Sequence, residues 1–192
     1  SAARSRATSA MARIALVERR EQVAPEHRAV WDRIDASRGQ VAGPFAVLLW
    51  SPEVADRTAA LGAYIRFASR LDPRDRELAI LAVARALDCA YEWAAHVREA
   101  RRVGVREEAI AAVRERRAAA GLTPEEAAIV EYARQLLDRH RVEGALFEAL
   151  RARLGPERLV ELTATIGYYA MIACTLNAFE VTPPADAEAL PP

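Results

Sequence analysis

Three residue pairs punctuate this chain, Ser51-Pro52, Asp72-Pro73 and Thr123-Pro124. Each sets a helix-capping side chain before a proline at the first helical position. A proline loses nothing there, because the first N–H groups of a helix have no partner within it. Thr123-Pro124-Glu125-Glu126 adds the reciprocal capping box, and Gly104, Gly121 and Gly155 fall where helices should stop. No alternating apolar run lies between turn dipeptides, so no strand is predicted. The fold class is therefore all-α, a multi-helix bundle. Helices are expected at about 25–37, 44–50, 52–70, 73–87, 89–103, 106–118, 124–140, 144–154 and 156–179.

The apolar residues are mostly Ala, Leu and Val, which favour helix over strand and suffice for a sizeable core. One domain over 13–181 is expected, preceded by a disordered extension or artificial leader (1–12) and followed by a proline-rich tail (182–192), flexible or draped over the surface. Leu159, Leu162, Ile166, Tyr169, Ala173 and Leu176 recur at steps of three and four. Their helix is expected to be buried on most sides, with Cys174 in the core.

Other residue counts exclude whole classes of chemistry. Lys+Arg and Asp+Glu are 27 each, a balance that points to no nucleic-acid or membrane-surface partner. Every one of the basic residues is arginine, which rules out a lysine Schiff base, a pyridoxal-phosphate anchor and a P-loop lysine from this chain. Two cysteines make no disulfide framework and fit a reducing, cytoplasmic setting. The most apolar stretch, 159–179, is interrupted by Glu161, Asn177 and threonines, short of the ~20 residues of a membrane span. With one histidine in the candidate site, Glu77, Glu92 and His96 make a poor metal set. No metal and no cofactor are expected.

Chemistry concentrates between Arg76 and His96. Asp88 reads as an N-cap, so Cys89 would open a helix. At ~100° per residue, Cys89, Glu92 and His96 then fall within about 60° of one another. A thiol, a carboxylate and an imidazole would share one stripe, with Cys89 at the positive helix end that favours thiolate. Glu77 lies among Leu78, Ile80, Leu81, Val83 and Leu87, so it should point inward and need a partner from that stripe. Clustered titratable groups in apolar surroundings mark sites, although a buried polar network between two helices would use the same residues. Cys89 alone reads equally as a small core residue. Tyr91 and Trp93 are candidates for a substrate-binding wall or a subunit contact. His27 and His140 read as structural.

The string Glu77-Leu78-Ala79-Ile80-Leu81 followed by Tyr91-Glu92-Trp93-Ala94-Ala95-His96 resembles the signature of the carboxymuconolactone decarboxylase/alkyl hydroperoxidase D-like (AhpD-like) superfamily. The AhpD-like redox motif is an upstream Glu followed by C-x-x-C-x-x-x-H. Glu77, Cys89 and His96 match its Glu, first Cys and His. Glu92 stands in place of the second Cys, and Tyr91 where a relay His can occur. Pro44-Phe45, Asp138 to Val142 and Gly167-Tyr168-Tyr169 extend the resemblance. It implies a small-molecule substrate and a homo-oligomer: trimer, dimer or hexamer. In AhpD-like peroxidases the second Cys attacks peroxide, and this chain lacks it. The resemblance, together with the Glu–His cluster, leads to an expected cofactor-independent decarboxylase, lyase or isomerase of a small conjugated acid or lactone. His96 would be the proton donor, oriented by Glu77, with Glu92 relaying protons. The rivals are a thiol peroxidase using Cys89 and a helical assembly protein without activity.

Overall fold

A computed structural model describes residues 12–117 and 120–191. The expected extension over 1–12 therefore lies, apart from Ala12, outside the described residues. Among the described residues eight α-helices follow one another: α1 Arg28–Arg38, α2 Pro44–Leu48, α3 Pro52–Ala63, α4 Pro73–Ala86, α5 Ala90–Arg102, α6 Glu107–Arg114, α7 Pro124–Arg139 and α8 Gly144–Ala178. Among the described residues there is no strand.

The sequence punctuation accounts for most of these boundaries. Asp72 accepts the N–H of Arg74 at 2.8 Å, and the Thr123/Glu126 capping box is formed. Ser51 is the N-cap of α3 but makes no side-chain capping bond. The first expected helix begins instead with a 3-10 turn, Pro25–His27. The expected helix 52–70 does not run through: α3 passes into a one-turn π-helix, Tyr64–Ala68. The two expected helices 144–154 and 156–179 meet at Gly155, whose backbone (φ 76°, ψ 165°) breaks α8 into two arms.

Helix α4 is the axis of the bundle. Leu78 to Ala84 are all buried, and α5, α6, α7 and α8 pack around it. A second, smaller cluster of Val30, Trp31, Ile34, Phe45, Leu49, Ala55 and Ala59 holds α1 to α3 together. The N-terminal segment ties this layer down, since Arg13 N–H donates to the carbonyl of Phe179 at 2.9 Å. The C-terminal tail is draped: Glu188 pairs with Arg101 and Arg114, and the carbonyl of Pro191 accepts from Arg85.

Helix α8 corrects two expectations. By length and composition it could cross a membrane, yet 56 % of its apolar window is buried, as in the core helix of a bundle. Only one face is buried. Val160 (67 % exposed), Met171 and Cys174 stand on the outer face, so Cys174 is not a core residue. The core needs only the stripe through Leu162, Ile166, Tyr169 and Ala173, and position 174 lies off it.

Candidate functional site

The site is built on the connection between α4 and α5, only three residues long. Asp88 takes a left-handed backbone (φ 47°), its N–H bonded to the carbonyl of Arg85 and the Cys89 N–H to that of Ala84. This is the Schellman ending of a helix, with Asp where glycine is usual. The Asp88 side chain is held between Arg85 and Arg116. Asp88 is thus not the N-cap expected from sequence. Cys89 takes that position, with extended dihedrals, and its carbonyl accepts the N–H of Trp93 at 3.0 Å. Residue 89 ends one helix and starts the next, which fixes the angle at which α5 crosses α4.

That angle brings Glu77 of α4 against His96 of α5. Glu77 Oε2 lies 2.8 Å from His96 Nδ1, with both side chains buried. A carboxylate can only accept, so Nδ1 carries the proton toward Glu77. Arg76 donates to the other oxygen of Glu77 at 3.3 Å, also under cover, so the carboxylate has cationic partners on both sides. His96 Nε2 is left on the side of Glu92, 3.4 Å from its Oε2. The Tyr169 ring meets the imidazole edge to face at 4.9 Å.

Electrostatics sharpens the arrangement. Burial is the largest influence on His96 and pulls its pKa down, but the Glu77 hydrogen bond and the charges of Glu77 and Glu92 outweigh it and leave the imidazole raised. Burial pushes Glu92 up against the lowering charges of His96 and Arg66, which favours its neutral acid. A carboxyl and an imidazole, both raised above their ordinary values, therefore stand side by side.

Both line a pocket of about 240 Å³ in the seam between the two hydrophobic clusters. Arg38, Pro44 and Phe45 come from the N-terminal layer, Arg66 from the π turn, Tyr91 and Ala95 from α5, and Tyr168, Tyr169 and Ile172 from α8. Close approaches set its walls. A Cβ on Gly43 would stand 2.6 Å from the Tyr91 hydroxyl, and one on Gly62 would collide with that of Tyr168. The π turn is pinned by Glu161, whose carboxylate accepts from Tyr64 Oη (2.6 Å), Ser69 Oγ (2.9 Å) and the N–H groups of Arg70 and Leu71.

The sequence-derived set thus divides. Glu77, Glu92, His96 and Tyr91 come together at the pocket, Glu77 from behind it. Cys89 and Trp93 do not line it and are both 0 % exposed in the main core. An N-cap residue has left helical geometry, so the angular stripe does not extend back to position 89. The expected thiolate is corrected too. Burial, with the charge of Glu92, pushes the Cys89 thiol up to about 11 despite the N–H groups of Glu92 and Tyr91 that favour the anion. Arg38, Arg66, Tyr168 and Tyr169 were missed as pocket residues. Only the Gly167-Tyr168-Tyr169 resemblance signalled any of them.

The profile of the carboxymuconolactone decarboxylase family matches residues 52–135, which run from α3 into α7. Solved structures share the fold. An uncharacterised peroxidase-related protein with an alkylhydroperoxidase AhpD core, from Ralstonia eutropha JMP134, superposes with a TM-score of 0.76 at 20% identity, covering 93% of this chain and 95% of that one. A protein of unknown function from Agrobacterium tumefaciens, a candidate antioxidant defence protein AhpD, gives 0.65 at 25% identity over 72% of this chain and 96% of that one. An uncharacterised peroxidase-related protein from Silicibacter sp. TM1040 gives 0.73 at 17% identity, covering 94% and 96%. No curated protein matches the chain.

Proposed function

We propose, from the family profile over residues 52–135 and the shared fold, that this chain is a member of the carboxymuconolactone decarboxylase/AhpD-like superfamily and a cofactor-independent decarboxylase, lyase or isomerase acting by acid–base chemistry on a small conjugated acid or lactone. One observation carries the reading. His96 is held at Nδ1 by buried Glu77 and presents Nε2 beside Glu92 at the pocket, while Cys89 lies in the core. A conjugated substrate holds its own electron sink. In decarboxylation the carbon–carboxylate bond breaks, its electron pair moves into the conjugated system as an enolate-like anion, and carbon dioxide leaves. His96 Nε2–H then delivers a proton to the anionic carbon, and Glu77 keeps the imidazole oriented and charged. Glu92, favoured as the neutral acid, relays the replacement proton.

The names of the structural neighbours favour a thiol peroxidase as the rival. Against it stand the single thiol at the motif, its burial and its raised pKa. The test is a panel of small conjugated acids and lactones, followed by loss of ultraviolet absorbance and release of carbon dioxide, beside a peroxide assay with a dithiol reductant. Turnover on the panel that survives Cys89→Ala supports the proposal. Peroxide turnover abolished by Cys89→Ala, with nothing on the panel, would replace it with the thiol mechanism. We propose also that copies of the chain associate through the apolar outer face of α8 with Leu61, Tyr64 and Phe147. Light scattering should then give more than one copy for the parent chain and fewer for Val160→Asp.

A further inference from the structure

Two guanidinium groups in the pocket wall have no part in the acid–base argument. Arg38 at the end of α1 and Arg66 in the π turn both line the cavity that holds Glu92 and His96. Arg38 is braced entirely by neutral partners. Its guanidinium stacks 4.2 Å from the centre of the Phe45 ring, Nη1 donates to Ser37 Oγ at 2.6 Å and Nη2 to the carbonyl of Ala59 at 3.1 Å. Arg66 packs over Phe67 at 5.1 Å. Among the described residues neither arginine has a carboxylate within ion-pair distance. Elsewhere Arg101, Arg102, Arg106 and Arg134 each hold one.

Two cations share this small space, and the repulsion is felt. Burial first, and the charge of Arg66 with it, pulls Arg38 down. The carboxylates near Arg66 do not relieve it. Glu92 is turned to His96, and Glu99 is engaged by Arg102. Arg66 sits in the π turn, a register shift that recurs at functional sites, next to buried Ile65, and reaches the pocket lining. Such a pair, lining one pocket with no carboxylate within ion-pair distance among the described residues, fits the planar fork of a carboxylate better than any neutral group.

We propose that Arg38 and Arg66 form a clamp for a carboxylate of the substrate, setting where the rest of the molecule lies over His96 and Glu92. The role assigned to the bound acid rests on the acid–base reading; the binding itself does not. The clamp grips the anion in ground and transition states alike, so its loss should fall on KM rather than kcat.

The test uses the full chain with benzoate as a planar conjugated carboxylate, benzamide as its neutral counterpart, and inorganic phosphate. Binding is read by calorimetry and by the imidazole NMR signals of His96. Benzoate should bind and shift His96, and benzamide should not. Arg66→Gln should weaken benzoate by ~10- to 100-fold, as loss of a charged hydrogen-bond partner does, with Arg66→Lys intermediate. Arg66 lies in a partly exposed turn, so this variant tests the clamp even where Arg38→Gln, which removes a brace of the N-terminal layer, fails to fold. Benzoate binding unchanged in Arg66→Gln, absent from the parent chain, or matched by benzamide overturns the proposal. Phosphate binding tighter than benzoate overturns the carboxylate assignment. The two readings fail separately: benzoate binding by the parent chain without turnover of any conjugated acid, or a His96→Ala variant that keeps both benzoate binding and full turnover, would sink only the mechanism.

Discussion

Glu92 and His96 lie on one side of α5, while Cys89 at its start and Trp93 on another side lie within the same eight residues. One group borders a pocket and keeps protons in play. The other is sealed in apolar packing, with Trp93 filling the core under the guanidinium of Arg114 at 5.8 Å. Residue type alone would put the nucleophilic thiol and the large aromatic ring in the site. Position on the helix decides otherwise, because the pocket lies where α5 faces the N-terminal layer across the seam, while Cys89 and Trp93 face the main core. The same residue string thus serves two purposes, chemistry on one face and cohesion on the other, and substitutions should separate them.

The largest effects are expected on the pocket side. Glu77→Gln and His96→Ala should each cut turnover by ~10²–10⁴-fold. Groups that act as a unit are not additive, so the double variant should cost little more than either single one. Additive losses would mean that the two residues act independently. Trp93→Ala comes next and belongs to the other face. It should lower stability by ~3–5 kcal/mol, seen as a fall in melting temperature, with turnover per folded molecule preserved. Loss of turnover at unchanged stability would move Trp93 into the site. The smallest effect is reserved for Cys89→Ala. A cavity about the size of one sulfur should cost ~1 kcal/mol and leave turnover intact.

How far the sequence foretold this division depends on which physical signal each residue carried. The helical bundle was legible, because caps, prolines and stop glycines act locally and survive any tertiary context. Glu77 and His96 were legible because a carboxylate inside an apolar helix must find a partner, and the nearby imidazole was within reach. Cys89 misled, because a helical wheel assumes helical dihedrals and residue 89 has already left them. The π turn carries no local signature, and it places one of two pocket arginines that nothing distinguished among so many. Cys174 was misplaced because the outer face of α8 is as apolar as its inner one.

The central claim, that buried Glu77 holds His96 charged and oriented at the pocket, can be measured without a substrate. NMR titration of the His96 imidazole in the parent chain should give a pKa above the ordinary ~6.5, with the Nδ1 proton in a strong hydrogen bond. A raised folded value means that this pair stabilises the fold fully below ~6.5 and loses its contribution as pH climbs through the folded pKa. In Glu77→Gln the burial that already pulls His96 down loses its main opponent, so the pKa should fall and the stability curve should flatten above pH ~6. A His96 pKa that is the same in both proteins, or that lies below ~6.5 in the parent chain, would contradict the account.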